Sequence, residues 1–249
     1  SPEAPVPVVE INKHENRLGG AANVALNLKA LGATPILCSV TGDGNRGDLF
    51  NKLMQEAELS TDGILFTSGR KTTIKTRVIA QLQHQVRVDE EDTHPIQNED
   101  KFLKTVTKLI SNIDVIILQD YNKGVLTQKI IEGVIEMANA KNIPTIVDPK
   151  KQNFTSYKNC TIFKPNLAEI KAGMNIDFDA DNVSEIEKAS SELRETLNVK
   201  GILLTLSRRG ICINTSEEFK HTPAFKRNII DVSGAGDTVI SVASLCLAS

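Results

Sequence analysis

Several residue types that mark particular protein classes are scarce in this 249-residue chain. It has no tryptophan and only 4% aromatic residues, which argues against a surface that stacks on single-stranded nucleic acid. Lys and Arg total 29 against 31 Asp and Glu, so bulk positive charge does not favour nucleic-acid binding either. The four cysteines form no Cys-x-x-Cys pair and the four histidines lack ligand spacing, so neither a disulfide framework nor a zinc site is expected. An anionic ligand must therefore be held by a local group of cations.

Long apolar segments are missing as well. No apolar run approaches the roughly 20 residues that a membrane helix needs, and no secretory signal is present, so we expect a cytoplasmic protein without a membrane partner. The chain is long enough to bury about 70–75% of its unfolded surface in a full core. It begins Ser-Pro-Glu rather than with Met, which we interpret as a trimmed or incomplete amino terminus.

Helical and strand-like patterns alternate along almost the whole chain, which is typical of an α/β fold with a mainly parallel sheet. Helices are expected at 21–31, 48–58, 100–112, 127–141, 184–197 and 236–248. Continuous apolar runs, as expected for buried parallel strands, lie at Pro35–Val40, Asp114–Leu118, Pro144–Val147, Gly201–Leu206 and Ile211–Asn214. Because no repeat, low-complexity tract or linker interrupts them, residues 1–249 are expected to form one domain.

Residues 73–89 follow a different pattern, with apolar and polar residues alternating at period two. This alternation predicts a half-exposed hairpin that places Lys75 and Arg77 on one face, with Arg87 nearby. A further strand at Val6–Ile11 could join it. We therefore expect a small β-strand lid beside the main sheet, and its cations could either bind an anion or form an ordinary solvated face.

One glycine-rich segment, Gly42–Gly47, matches the G-x-G-x-x-G pattern of dinucleotide sites. The acidic residue expected about 20 positions later would be Asp62, which precedes a strand-like run instead of closing it. Another glycine-rich turn, Gly19-Gly20, also comes first in the chain. We therefore interpret 42–47 as a tight turn, and a nicotinamide-dependent oxidoreductase is only a distant alternative. No G-x-x-x-x-G-K-[ST] sequence is present, which excludes P-loop chemistry.

The strongest motif is Asp231-Val232-Ser233-Gly234-Ala235-Gly236-Asp237-Thr238, which leads into an apolar helix. Small residues at a helix start leave backbone N–H groups open, and those groups together with the helix dipole bind anions. An aspartate in the first turn, Asp237, would then lie beside the anion and could accept a proton from an attacking hydroxyl. This arrangement favours phosphoryl transfer over a simple aspartate cap.

The chain resembles the ribokinase-like carbohydrate kinases, also called the pfkB family. Residues 231–237 match the carboxy-terminal signature D-[TV]-[TS]-G-A-G-D at every position, and Arg17–Ala25 matches the Gly-Gly pair and early Asn of the amino-terminal signature. The resemblance covers nearly the whole chain. It implies a ribokinase-like α/β fold, in which helices flank a mainly parallel central sheet beside a small lid, and the cofactors ATP and Mg²⁺.

Within the family, four stretches resemble the bacterial heptose 7-phosphate kinases: Ser1–Val8, Asp120–Gly124, Asp148–Lys150 and Lys164–Glu169. Such enzymes phosphorylate the anomeric hydroxyl of D-glycero-D-manno-heptose 7-phosphate on the route to ADP-heptose and lipopolysaccharide. A sugar phosphate is thus the implied small-molecule partner. A nucleotidyltransferase domain, fused or separate, and a homodimer are further partners that the resemblance leaves open.

The resemblance also implies roles for individual residues. Asp237 would be the general base, with Gly234, Ala235 and Gly236 as the anion hole. The expected sugar-binding residues are Gly19, Gly20, Asn23, Lys75, Arg77, Asp120, Lys123 and Lys150. The expected nucleotide-side residues are Asn166, Leu167, Ala168, Glu169, Thr205, Ser207 and Gly210. Glu169 would act on Mg²⁺ through water, although Asn166 and Glu169 also have the spacing of a helix capping box. Asp231 would help to bind a monovalent cation such as K⁺.

Two alternatives remain open at this stage. The chain could be another kinase of the same fold, acting on a fructose phosphate, ribose or a nucleoside. It could also be a non-catalytic binding module, because the first core strand and the residues that wall the adenine in the family are both missing from the sequence.

Overall fold

The computed structural model describes residues 9–80, 83–225 and 234–249. Over these ranges helices and strands alternate as predicted. The helices are α1 (Ala21–Ala30), α2 (Asn45–Glu56), α3 (Glu99–Leu109), α4 (Gln128–Ala140), α5 (Leu167–Met174), α6 (Val183–Leu197) and α7 (Ala235–Ala248). The strands are β1 (Ser39–Gly42), β2 (Ile64–Thr67), β3 (Ile74–Ala80), β4 (Gln83–Glu90), β5 (Ile116–Gln119), β6 (Thr145–Asp148), β7 (Ile162–Phe163), β8 (Gly201–Thr205), β9 (Ile211–Thr215) and β10 (Phe219–Thr222).

The central sheet has six strands in the order β10-β9-β8-β7-β6-β5. Strands β5 to β8 pair in parallel, and β9 and β10 continue the sheet in antiparallel orientation. All four residues of β6 are buried, which explains why this strand reads as a continuous apolar run instead of an alternating one. The prediction of a mainly parallel sheet flanked by helices is confirmed.

Helices cover both faces of this sheet. On one face Ile146 of β6 packs with Val24 of α1 and Ile240 of α7. On the other face Val147 and Phe163 belong to the main core cluster, which also contains residues of α3, α4 and α6. Helices α1 and α7 also pack directly against each other. Their neighbouring positions place the starts of both helices beside the carboxyl end of β5, where ligands of open α/β sheets bind.

The hairpin predicted within residues 73–89 is present as the antiparallel pair β3–β4. Lys75 lies opposite Asp89 and Arg77 lies opposite Arg87 in its register. Residues 9–11 are not in a strand, so the predicted strand at Val6–Ile11 is wrong for these positions, and residues 6–8 lie outside the described residues.

Several element boundaries differ from the predictions. Helix α2 begins at Asn45, three residues before the predicted start, and β1 begins at Ser39, later than the predicted Pro35. Helix α5 was considered only as a capping-box alternative, β2 only as a strand-like run, and β7 and β10 were not predicted at all. Strand β7 has only two residues and β10 is a half-exposed edge strand, so neither presents a long apolar run.

The turn at Gly42–Gly47 is explained by close backbone packing. A Cβ atom at Gly42 would lie 2.1 Å from the Arg70 carbonyl oxygen, and one at Gly47 would lie 2.0 Å from the Gly42 oxygen. No side chain larger than hydrogen fits at either position. The glycines therefore serve a tight strand-to-helix turn, as interpreted from the sequence.

In the part of the chain that the structure describes, every helix is too short or too polar to cross a lipid bilayer.

Candidate functional site

The Asp237 carboxylate is the centre of a cluster drawn from three segments. The Asn23 side-chain amide on α1 donates a hydrogen bond of 2.8 Å to Asp237 Oδ2. The Tyr121 hydroxyl, from the loop after β5, donates one of 3.0 Å to Asp237 Oδ1. Asp237 itself lies in the first turn of α7 and is partly exposed. The expected neighbours Asn23 and Asp237, 214 positions apart in sequence, are thus in direct contact.

The start of α7 presents an open helix end next to this carboxylate. Gly234 precedes the helix with φ 79°, in the left-handed region that favours glycine. The first N–H groups of a helix have no partner within the helix, so those of Ala235 and Gly236 are suited to an anion. A Cβ atom at Gly236 would meet no described atom within 4 Å, and its backbone is helical. Glycine is therefore not required at 236 for backbone geometry. Asp231, proposed for a monovalent cation, lies outside the described residues.

Gly19 and Gly20 lie at the entrance to α1. Gly20 has φ 58°, and a Cβ atom there would lie 3.5 Å from the ring of Tyr121. Gly19 is exposed, with no described atom within 4 Å of an added Cβ. Gly20 is therefore a neighbour of the Tyr121 ring, whose hydroxyl contacts Asp237.

The acidic residue Glu91 contacts a lysine of the lid hairpin and a lysine of the loop after β5. Lys75 Nζ on β3 lies 3.0 Å from Glu91 Oε2, and Lys123 Nζ, after β5, lies 2.6 Å from Glu91 Oε1. Lys75 also contacts Asp89 at 2.8 Å. The hydrogen bond that Lys75 donates to Asp89, together with the Glu91 carboxylate, raises the pKa of Lys75. Lys123 and Lys75 in turn lower the pKa of Glu91. Lys75 and Lys123 were predicted to act together, but Glu91 was not singled out.

Arg77 lies opposite Arg87 on the same hairpin, and Arg87 Nε lies 3.1 Å from Asp89 Oδ1. Two arginines directly opposite each other repel, so this exposed face favours the approach of an anion. The basic residues of this face also pair with Asp89 and Glu91, as they would on an ordinary solvated hairpin, so anion binding by the lid stays a prediction.

Arg70, which the sequence did not mark, holds the Lys123 loop to the end of the lid. Arg70 as a whole residue is 8% exposed, and its guanidinium donates hydrogen bonds to the carbonyl oxygens of Lys123, His94 and Asp92 at 2.5, 3.1 and 3.4 Å. Burial lowers the pKa of this guanidinium. Because all three acceptors are backbone atoms, Arg70 ties the segment just after Glu91 to the backbone at Lys123.

Asp120 does not face the open site. It is 2% exposed and its carboxylate accepts hydrogen bonds from the Asn122 N–H (2.6 Å), the Asn153 amide (3.1 Å) and the Tyr157 hydroxyl (2.8 Å). The expectation that Asp120 binds sugar is corrected accordingly: we assign it to shaping the loop that carries Tyr121 and Lys123. Its inward direction was not readable from its position after a strand.

The predicted nucleotide-side residues meet at the ends of β6, β7 and β8. Asn166 and Glu169 form the capping box of α5, with both reciprocal hydrogen bonds at 2.9 Å. Glu169 Oε1 also lies 2.5 Å from Lys150 Nζ. Burial lowers the pKa of Lys150, but the carboxylates of Glu169, Asp148 and Asp120 raise it overall. Thr205, at the end of β8, forms a parallel bridge with Asn166. The start of α5 and the end of β8 therefore lie side by side.

The remaining predicted residues on this side occupy the turns that follow. Leu167 and Ala168 form the first turn of α5, with Leu167 packed against the core and Ala168 exposed. Ser207 is exposed at φ 56°. Gly210 has φ 97°, and a Cβ atom there would lie 2.0 Å from the Thr222 carbonyl oxygen. Gly210 is thus required by the β8–β9 turn itself.

A metal ion would find few direct ligands here. Among residues 9–80, 83–225 and 234–249, no three His, Cys, Asp or Glu side chains are grouped closely enough to hold a metal. Both carboxylate oxygens of Glu169 are already engaged, by Lys150 and by the Asn166 N–H. The residues present fit Mg²⁺ only when phosphates and water supply most of its ligands, which is its usual mode in phosphoryl transfer.

Comparison with known proteins agrees with this geometry. A sequence model of the pfkB family carbohydrate kinases matches residues 2–249. The bifunctional protein HldE of Helicobacter pylori (strain HPAG1) is 41% identical over 249 residues, covering 99% of this chain and 53% of that protein. HldE of Campylobacter curvus (strain 525.92) is 39% identical, with coverage of 100% and 53%. The chain therefore spans about half the length of the curated relatives it matches.

The fold is shared with solved kinases. Phosphofructokinase-2 from Escherichia coli, crystallised with fructose-6-phosphate, superposes with a TM-score of 0.73 at 20% identity, over 92% of this chain and 75% of that one. The ribokinase-like architecture expected from the sequence is thereby confirmed, and the dinucleotide alternative has no support. The two sequence signatures, the sheet topology and the family match all agree. The chain belongs to the pfkB family of carbohydrate kinases.

Proposed function

We propose that this chain transfers the γ-phosphate of ATP to the C1 hydroxyl of D-glycero-D-manno-heptose 7-phosphate. The product would be heptose 1,7-bisphosphate, which feeds ADP-heptose and lipopolysaccharide core synthesis. The single observation that carries the sugar assignment is that Lys75 and Lys123 both form ion pairs with the Glu91 carboxylate. The similarity to HldE proteins supports it independently.

The cation cluster suits a substrate that already carries a phosphate. Lys75 belongs to the lid and Lys123 to the core, and each contacts a different oxygen of the same carboxylate. Glu91 thereby holds two ammonium groups close together before any ligand arrives. A sugar phosphate bears more negative charge than a carboxylate and would replace Glu91 between them. Charge-assisted contacts of this kind contribute about 1.5–3 kcal/mol each, whereas an unphosphorylated sugar would gain nothing from them.

The chemistry proposed for the other end of the sugar uses Asp237 and the start of α7. Asp237 accepts the proton of the attacking hydroxyl, and the N–H groups of residues 234–236 stabilise the charge on the transferring phosphoryl group. Gly19, Gly20 and Asn23 would contact the sugar hydroxyls. Lid closure over the sugar, with Arg77 approaching the phosphate, would exclude water from the reacting groups.

On the nucleotide side we propose that the α5 start and the β8–β9 turn contact ATP. The residues concerned are Asn166, Leu167, Ala168, Glu169, Thr205, Ser207 and Gly210. Lys150, which was predicted to bind the sugar, pairs with Glu169 of this set, and its role at the sugar stays a prediction. Mg²⁺, when bound, neutralises charge on the phosphates, and Glu169 would reach it through water. A monovalent cation such as K⁺ at Asp231 remains a prediction that the described residues do not address.

A second enzyme activity is the proposed partner of this reaction. The relatives are named bifunctional, and this chain spans about half their length. A nucleotidyltransferase, fused or separate, would use the sugar 1-phosphate group made here after removal of the other phosphate. Homodimerisation and a cytoplasmic location remain predictions from the sequence.

Steady-state turnover of ATP against matched sugars tests the proposal. Heptose 7-phosphate, unphosphorylated heptose, fructose 6-phosphate and ribose are compared at equal concentrations, and ³¹P and ¹H NMR of the product locate the new phosphate. We expect the highest kcat/KM for heptose 7-phosphate and phosphorylation at C1. Higher kcat/KM for fructose 6-phosphate or ribose would refute the sugar assignment, and phosphate at another carbon would refute the proposed position.

A further inference from the structure

Tyr121 lies between the sugar side of the site and the proposed base, and the sequence assigned it no role. Its hydroxyl donates to Asp237 Oδ1 at 3.0 Å, and its ring lies next to Gly20. We infer that Tyr121 is a positioning residue for the reaction, which orients the Asp237 carboxylate so that turnover depends on the tyrosine hydroxyl. The inference rests on the proposed function in that Asp237 must be the proton acceptor.

The carboxylate is held from two sides by donors of different origin. Asn23 on α1 donates to Oδ2 at 2.8 Å while Tyr121 donates to Oδ1. Two donors on the two oxygens fix the plane of the carboxylate, which a single hydrogen bond would leave free to rotate. A carboxylate oxygen accepts about two hydrogen bonds, so each oxygen keeps capacity for the hydroxyl of a sugar. The catalytic role of the base then requires only that one oxygen stays aimed at the open space.

The loop that carries Tyr121 is itself rigidly held, as a positioning role demands. The buried Asp120 carboxylate binds the Asn122 N–H at 2.6 Å, on the far side of Tyr121 in the chain. Arg70 binds the Lys123 carbonyl oxygen at 2.5 Å. The backbone around Tyr121 is therefore anchored at Asn122 and Lys123, which limits the positions open to the tyrosine hydroxyl.

Tyr121 is suited to donate a hydrogen bond and unsuited to exchange its proton. Burial and the adjacent Asp237 carboxylate raise the pKa of Tyr121, so the hydroxyl stays protonated at neutral pH. In the reaction the sugar O–H proton passes to Asp237, the sugar oxygen bonds to the γ-phosphorus, and the bond from that phosphorus to the bridging oxygen breaks as ADP leaves with the electron pair. Tyr121 keeps its own proton throughout and acts only through Asp237.

A double-mutant cycle with Asp237→Asn separates this role from a general structural one. Tyr121→Phe should lower kcat about 10- to 100-fold, the effect of losing a hydrogen bond to a charged group, while KM for ATP and for the sugar changes less than about twofold. In the Asp237→Asn background the same substitution should cause little further loss, because the oriented carboxylate is already gone. An equal loss in both backgrounds, or a loss confined to KM, would overturn the inference.

The only other tyrosine of the chain provides a matched control. The Tyr157 hydroxyl also donates to a carboxylate, Asp120 Oδ2 at 2.8 Å, but it is fully buried away from Asp237. Asp120 keeps its hydrogen bonds from Asn122 and Asn153 in Tyr157→Phe, so this variant should lower the melting temperature and reduce kcat only slightly, through the loop. A fall in kcat as large as that of Tyr121→Phe would contradict the special role of Tyr121.

The cycle is measured with whichever sugar the wild-type protein phosphorylates fastest. Failure of the heptose assignment is then read from the wild-type substrate preference, whereas failure of the Tyr121 role is read from the cycle alone. Absence of turnover by the wild-type protein on every sugar phosphate and sugar tested would overturn both.

Discussion

Removing the lid lysine should weaken recognition of the sugar phosphate without weakening the fold. In Lys75→Met the side chain keeps most of its length but loses the ammonium group that contacts Asp89 and Glu91. The expected result is a higher KM for heptose 7-phosphate and an almost unchanged KM for ATP. The physical reason is that Lys75 lies on the lid, away from the residues proposed for the nucleotide.

The size of the effect follows from the contacts that are exchanged. A charge-assisted contact from Lys75 to the phosphate contributes about 1.5–3 kcal/mol. Binding the phosphate costs the ion pair with Glu91, which is worth up to about 1 kcal/mol because the Lys75 and Glu91 side chains are 34% and 21% exposed. With the ion pair taken at about 1 kcal/mol, the net loss of about 0.5–2 kcal/mol corresponds to a roughly 2- to 30-fold rise in KM. The free energy of unfolding should fall by no more than about 1 kcal/mol.

The assay compares KM for heptose 7-phosphate with KM for unphosphorylated heptose in wild-type and variant proteins. Lys129→Met is the matched control, since Lys129 also forms an exposed lysine–aspartate pair, 2.8 Å from Asp100, but lies on α4. The control should leave both KM values unchanged. If Lys75→Met raises KM equally for the two sugars, or if the preference for the phosphorylated sugar survives in full, the phosphate is held elsewhere and the argument from Glu91 is refuted.

Two further predictions concern glycines. Gly236→Val should abolish turnover while the circular dichroism spectrum stays native. A Cβ at this position meets no described atom within 4 Å, and the valine would crowd the helix start proposed to bind the phosphoryl group. Native-like turnover would contradict the proposal that an anion binds this helix start. Gly42→Ala should lower the free energy of unfolding in urea by about 1–3 kcal/mol, since its Cβ would lie 2.1 Å from the Arg70 oxygen. Gly44→Ala, with open space around its Cβ, is the control for the second substitution, and equal stability of the two variants would contradict the packing argument.

The fold was predictable to the extent that its elements are long and buried. Helices α4 and α6 carry apolar residues at helical spacing, and their predicted bounds differ from the observed ones by at most one residue at each end. Strand β7 was missed because two residues bear no periodicity, although Phe163 is fully buried. The antiparallel edge strand β10 depends on pairing with β9, which no local pattern reports.

Site residues that belong to a sequence motif were predictable, whereas residues that join the site only through a long-range contact were not. Asp237, Asn23 and Lys123 could be chosen from motifs, and the structure gives each a polar partner at the site. Tyr121 acts across 116 positions of sequence and Arg70 across 53, so neither can be assigned before the chain is folded. Asp120 shows the opposite error, since a motif residue at a strand end turned out to face the interior.

The most direct test of the whole account is the turnover of Asp237→Asn. Asparagine keeps the size of aspartate and can still accept a hydrogen bond from Asn23 or Tyr121, but it cannot take the proton of the attacking hydroxyl. We predict a fall in kcat of about 10²- to 10⁴-fold, measured in single-turnover experiments with radiolabelled ATP. The dissociation constants for ATP and sugar phosphate, measured by calorimetry, should change by no more than about twofold, because the base matters mainly in the transition state. A variant that turns over within tenfold of the wild-type rate would contradict the assignment of Asp237 as the base.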